Sequence, residues 1–230
     1  RVQPEVGQDA VLMNTGSVSF SGAWSACDPS AFIWAPGLYS LTQVMRADIS
    51  AGLGGNPIFT VYGGQRQTLI RSIYEQGLMQ SGSDLFAHVF ITDIRSLGLY
   101  ASEGMSLMTP FYWNRDDASR DFAERFRARH GTPPTYIQAA VYSGVTNYLE
   151  AVAESGTDDP VQVGETLQEK DVSDFYARNG SLRSDGQLMQ DLYVMPVKDA
   201  ADVTSQWDYY EYVSTLSGED MYPPVSTDCP

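Results

Sequence analysis

A chain of 230 residues with 43% hydrophobic side chains is long enough for one large domain or two small lobes, and apolar enough to bury a core. Its formal charge of −15 repels phosphate backbones and anionic lipid headgroups, which sets nucleic acid and membrane surfaces aside as partners. The sequence holds no apolar run of about 18 residues that would read as a membrane span, and a mature exported chain has already lost its leader.

In chain order, Val11 to Asn14 reads as a strand entering the polar loop Thr15-Gly16-Ser17-Val18-Ser19. Periodicity is then lost through about Gly55. Asn56 to Tyr62 is a short apolar strand ending at Gly63-Gly64, and Gln67 to Gln76 carries Leu69, Ile70, Ile73 and Tyr74 on one helical face. Leu85 to Thr92 and Gly104 to Thr109 read as two further strands. Asp116 and Asp117 supply capping and negative charge for a helix that Gly131 stops and Pro133-Pro134 prevents from continuing. The next helix, Tyr136 to Glu154, places Ile137, Val141, Val145 and Leu149 at helical spacing and is expected to bury them. Asp159-Pro160 opens another helix as N-cap and first-turn proline. Ser184-Asp185-Gly186 is a turn, Gln187 to Val197 is a strand, and the polar, aromatic stretch from Ala200 is expected to wrap the surface. Alternating strands and helices imply an α/β fold with a mostly parallel sheet.

Catalytic patterns are sparse. Gly52-Leu53-Gly54-Gly55-Asn56-Pro57 has proline where a nucleotide loop needs its third glycine, and its strand comes after it. His130 ends a helix, where a cation complements the dipole, and His88 in an apolar strand reads as a core histidine. Neither Cys27 nor Cys229 lies in a Cys-x-x-Cys pair, and with two histidines in the chain a zinc site is not expected. The two cysteines sit in turn-like sequence and fit one disulfide in an oxidising compartment; the alternative is two unrelated free thiols. Polar loops at strand ends are what remains. Thr15 to Ser19 offers hydroxyls and backbone N–H groups suited to a carboxylate. Tyr62 and Thr92-Asp93 occupy the carboxyl ends of strands, where open α/β sheets bind ligands.

Several runs together resemble the type I periplasmic solute-binding proteins of ABC transporters, of the branched-chain amino acid or aromatic acid kind. They include Phe90-Ile-Thr-Asp93, Leu97-Gly98-Leu99, Glu103-Gly104-Met105, Phe111-Tyr112-Trp113 with Asp117, Phe122 with Phe126, and Ala140-Val-Tyr-Ser143. Gly156-Thr-Asp158, Asp185-Gly186 and Tyr193-Val-Met-Pro-Val-Lys198 continue the series. Asn14-Thr-Gly-Ser17, Ala26-Cys27, Trp34 and Tyr39 resemble the first lobe's cleft loop and the segment after that loop. The resemblance implies two Rossmann-like lobes joined by crossing hinge strands. On this reading, residues 1–42 and 111–178 form a partial lobe one, 46–110 and 179–198 form lobe two, and 199–230 is a surface tail. Family members are longer, so the residues are expected to be part of a longer chain.

The resemblance further implies capture of an amino acid or small organic acid, aromatic acids included, with no cofactor and no catalysis, and then docking on a membrane ABC permease outside the cytoplasm. Gly16, Ser17, Val18 and Ser19 correspond to the loop that clamps a carboxylate. Tyr62 corresponds to the lobe-two aromatic, Asp93 to the lobe-two acid and Tyr136 to an aromatic wall. A helix cap is the competing role for Asp93. Competing functions are an assembly subunit that has lost the cleft and the ectodomain of a receptor.

Overall fold

The structure is a computed structural model that describes residues 10–16, 28–50, 58–61, 64–79 and 84–225. In chain order the strands are β1 (Leu12–Asn14), β2 (Ala31–Ile33), β3 (Ile58–Val61), β4 (Asp84–Ala87), β5 (Ser106–Thr109), β6 (Asp171–Val172), β7 (Gly180–Leu182), β8 (Leu188–Met189), β9 (Leu192–Pro196) and β10 (Ser214–Leu216). The helices are α1 (Leu38–Ser50), α2 (Arg66–Glu75), α3 (Ile91–Leu97), α4 (Asp117–His130), α5 (Tyr136–Ser155), α6 (Pro160–Gln168) and α7 (Gly218–Met221). The chain divides into two compact units. Unit 1 holds residues 1–40, 136–191 and 217–230, and unit 2 holds 41–135 and 192–216.

Unit 2 is built on a five-stranded sheet of order β10-β9-β5-β4-β3. Strands β3, β4 and β5 run parallel, and β9 and β10 are antiparallel. The parallel strands read as short apolar runs because a sheet covered on its faces has no solvent side. Ile70 and Ile73 of α2 and Ile94 and Leu97 of α3 are buried in one cluster with Leu85, Met105, Leu107 and Met195. Only part of the predicted face of α2 is used: Leu69 is exposed while Ile70 and Ile73 are buried. The strand read over Leu85 to Thr92 stops at Ala87, because Asp93 folds back to accept the Phe90 N–H and starts a helix at Ile91.

Helix α4 begins and ends as its sequence demands. Asp116 caps it by accepting from the Ser119 N–H at 2.8 Å, and Gly131 closes it at φ 78°, its N–H on the Arg127 carbonyl. It belongs to unit 2, so the lobe assignment of 111–135 made from sequence is corrected. In the same way, residues 179–191 belong to unit 1.

The stretch beyond Lys198 is also corrected. Through residue 216 it is not a surface tail, because aromatic residues carry it into the core of unit 2. Trp207, Tyr209 and Tyr210 are buried, β10 extends the sheet through β9, and the Lys198 N–H donates to the Tyr209 carbonyl. The Trp207 carbonyl accepts from the Trp113 indole at 2.9 Å, and Arg95 lies over the Trp207 ring. Asp208 is tied by Lys198 at 2.8 Å and Thr204 at 3.1 Å. Burial alone would raise its pKa, but the hydrogen bonds from Lys198, Thr204 and Tyr112 and the Lys198 charge together outweigh burial and hold it below the ordinary carboxylate value.

Unit 1 pairs β1 with β2 in parallel, and Ile33 bridges to Gln187. Strands β6, β7 and β8 form a small antiparallel meander. The continuous strand read over Gln187 to Val197 is two strands, β8 in this meander and β9 in the sheet of unit 2.

Helix α5 inverts its sequence expectation. Its buried face is Tyr136, Ala139, Ala140, Ser143, Gly144, Asn147 and Ala151, whereas Val141, Val145 and Leu149 are exposed. The reason is close approach. A Cβ on Gly144 would sit 3.1 Å from the Met13 sulfur and 3.8 Å from the Trp34 indole, so only small residues fit that face. The volume is supplied from the other side by Trp34 and Phe32, both fully buried. A polar string fixes the register. The Trp34 indole donates to Ser143 Oγ at 3.0 Å, Ser143 donates to Asp174 at 2.6 Å, and Asp174 also accepts from Asn147 and from the Tyr176 and Ala177 backbone N–H groups.

Candidate functional site

Unit 2 concentrates its polar chemistry at the C-terminal ends of two adjacent parallel strands. After β3, the chain enters α2 with Arg66 and Gln67 in its first turn. After β4, it runs through His88 and Phe90 into α3, which carries Asp93 in its first turn. Asp93 is the hub. Arg66 donates through Nε at 2.8 Å and through Nη2 at 3.2 Å, Gln67 Nε2 donates at 2.6 Å, and the Phe90 N–H donates at 2.8 Å. The carboxylate therefore caps α3 and clasps α2 to it. Two-pronged pairing of this kind suits a planar guanidinium. The Arg66 guanidinium also lies 4.9 Å from the centre of the Phe90 ring. The Asp93 side chain is 6% exposed and that of Arg66 is 20% exposed, so solvent reaches the cation and not its partner.

His88 stands edge-on to Phe90 at 5.9 Å. Burial and then the Arg66 charge push its pKa below the ordinary 6.5, with Asp93 opposing. The folded state therefore favours neutral His88, so its contribution to stability is complete above pH 6.5 and is lost as pH falls through the lowered folded value. Thermal midpoints measured from about pH 7.5 downward should begin to fall just below the unfolded-state value of about 6.5. His88→Gln should flatten that limb. An identical slope in the variant removes His88 from the account.

In unit 1, Gly16 comes directly after the loop residue Thr15 that leaves β1, its N–H on the Asn14 side chain at 3.3 Å. A Cβ at Gly16 would lie 3.0 Å from Ile137 Cδ1, so the end of β1 and the first turn of α5 are in contact. Tyr136, the first residue of α5, is buried. Of the residues singled out by sequence, Gly16 and Tyr136 thus lie at neighbouring positions in unit 1, and Asp93 lies in unit 2 as the clasp just described. Ser17, Val18, Ser19, Tyr62, Cys27 and Cys229 lie outside the described residues. Sequence reading missed Arg66 and Gln67; the signal was a cation shortly after the Gly63-Gly64 loop at a strand end. His130 packs on Phe126 with ring centres 4.3 Å apart at the end of α4. Among the described residues, no cluster of three His, Cys, Asp or Glu side chains is placed to hold a metal, and no helix is long and apolar enough to cross a membrane.

The family described as periplasmic binding protein matches residues 58–202, more than half of the chain. The chain belongs to the periplasmic binding protein family. Solved structures agree with this binding-protein assignment. A periplasmic binding protein from Burkholderia mallei superposes with a TM-score of 0.84 at 27% identity, over 93% of this chain and 72% of its own. A branched-chain amino acid ABC transporter periplasmic ligand-binding protein from Burkholderia xenovorans gives 0.85 at 24% identity, over 97% and 74%, and shows the fold alone. An amino acid ABC transporter substrate-binding protein from Pseudomonas fluorescens gives 0.85 at 19%, over 100% and 77%, a likeness of fold alone. This binding protein thus spans about three quarters of the length of those structures. A comparison with curated sequences gives no match. The type I α/β architecture expected from sequence is the one found.

Proposed function

We propose that this chain is the extracytoplasmic capture component of an ABC uptake transporter and takes up an amino acid or small organic acid for a membrane permease. The observation that carries this reading is the family match over residues 58–202. The branched-chain and amino acid transport roles of the Burkholderia xenovorans and Pseudomonas fluorescens proteins point to the same ligand class. The site positions support it locally. Gly16 and the Arg66–Asp93 clasp both stand at the C-terminal ends of parallel strands, where ligands of open α/β sheets bind. In this reading Gly16, Ser17, Val18 and Ser19 clamp the carboxylate, Tyr62 supplies flat apolar contact, and Tyr136 forms a wall. Asp93 acts through Arg66, because its oxygens already accept four hydrogen bonds. The exposed side of Arg66 then favours ligands that carry a second anionic or hydroxyl group.

Binding needs no bond to be made or broken; a ligand stabilises whichever arrangement offers it more contacts. Thermal melts against a panel of amino acids and small organic acids test the reading. At a ligand concentration about 100 times the dissociation constant, the native state gains about 2.7 kcal/mol. That raises the midpoint of a chain this size by about 5–10 °C. Arg66→Gln should reduce the gain for acidic ligands most. A panel at millimolar concentration with no member raising the midpoint argues for an assembly role instead.

A further inference from the structure

Each parallel strand of unit 2 leads into a helix, and the acids on those connections are already paired. The sequence between β3 and α2, Tyr62 to Gln65, contains no acid. Asp93 is the first acid after β4, and Asp116 is the first after β5. Asp116 accepts from Arg115 Nε at 2.9 Å and from the Ser119 N–H at 2.8 Å.

Asp93 is filled more completely. An ionised carboxylate has about four acceptor positions, two on each oxygen. Its Oδ1 accepts from Arg66 Nη2 at 3.2 Å and from Gln67 Nε2 at 2.6 Å. Its Oδ2 accepts from Arg66 Nε and from the Phe90 N–H, both at 2.8 Å. The Asp93 side chain is 6% exposed against 20% for Arg66, so the charge that meets solvent where β3 and β4 end is the positive one. An ammonium group brought to this point would lose its water, find no open acceptor on Asp93 and stand against the Arg66 guanidinium. Burying a charge without a partner is costly, and placing it beside a like charge adds to the cost.

We propose that the Arg66–Asp93 clasp makes this protein select acids that carry no ammonium group. Of two ligands that differ only in an α-ammonium against an α-hydroxyl, it takes the hydroxy acid. This selectivity presupposes the capture role proposed above and narrows its ligand class. Asp93 is a positioning residue here, because it acts through Arg66. Hydroxyl and carboxylate oxygens accept from guanidinium N–H groups, whereas an ammonium group offers donors alone. The clasp therefore discriminates by repulsion as well as by attraction.

The test is titration calorimetry with matched pairs: L-aspartate against malate, L-phenylalanine against phenyllactate, and L-leucine and L-glutamate each against its α-hydroxy analogue. In every pair that binds, the hydroxy acid should bind about tenfold more tightly, or better. Arg66→Gln uncovers acceptor positions on Asp93, so the ratio within a pair should move about tenfold toward the amino acid. The ratio compares two ligands on one protein, so a general loss of stability in the variant cancels. An amino acid that binds wild type as tightly as its hydroxy analogue overturns the selectivity and leaves the capture role standing. So does a ratio that Arg66→Gln leaves unchanged. A set in which no member binds overturns the capture role, and the selectivity with it. If Arg66→Gln fails to fold, the wild-type ratio decides alone.

Discussion

Gly186→Ala will lower the stability of unit 1 by roughly 3 kcal/mol or more, the combined cost of left-handed backbone strain and a steric overlap. The residue sits at φ 77°, a region that side chains rarely adopt. Its added Cβ would also lie 2.1 Å from the Ala31 carbonyl oxygen, a distance no rotamer relieves because backbone stands on both sides. The contact is structural. The Gly186 carbonyl accepts from the Ile33 N–H at 2.8 Å and couples β2 to the turn before β8. The same turn is braced by the paired Arg183 and Asp185. A control separates the two causes. Gly156 has nearly the same φ, 69°, but nothing lies within 4 Å of the Cβ position. Gly156→Ala should therefore cost only about 1–2 kcal/mol. Urea unfolding of both variants measures the difference, and equal losses would mean that the close approach to Ala31 carries no weight.

Asp93→Ala comes next in size, at about 2–4 kcal/mol. Removing one member of a buried ion pair costs about 3–5 kcal/mol when the other charge is stranded, and the partial exposure of Arg66 reduces that. Three interactions are lost together: the two-pronged bond to Arg66, the bond from Gln67, and the cap on the Phe90 N–H. Asp93→Asn keeps an acceptor for the cap and should fall between wild type and alanine. Denaturant unfolding gives the order. A ligand titration of Asp93→Asn tests the clasp, because loss of affinity with intact α2 and α3 would place the Arg66–Asp93 pair at the ligand, and unchanged affinity would leave Asp93 as a helix cap. An alanine variant as stable as wild type would show that Arg66 and Asp93 are only neighbours.

The signals legible in the sequence are those with a one-residue cause. Asp116, Asp159, Gly131 and Gly156 start or stop helices through their own side chain or their own backbone freedom, at the positions their residue types imply. The order of strands and helices after residue 56, and the α/β class with it, comes from alternating periods that need no tertiary contact. Faces and boundaries are a different matter. Helix α5 carries apolar residues on two sides, and periodicity picks the aliphatic Val141, Val145 and Leu149. Packing picks Ala140, Ser143 and Gly144, because the distance to Met13 and Trp34 admits nothing larger. Likewise, the break between β8 and β9 is silent in an apolar run, and only strand pairing in two separate sheets reveals it. The aromatic stretch around Trp207 reads as surface because its partners, Trp113, Tyr112 and Arg95, lie roughly a hundred positions earlier. Asp93 is visible in the sequence only as an acid at a strand end. Whether it meets a ligand or a neighbouring helix depends on Arg66 and Gln67, which are distant in sequence and are brought beside it by the parallel pairing of β3 and β4.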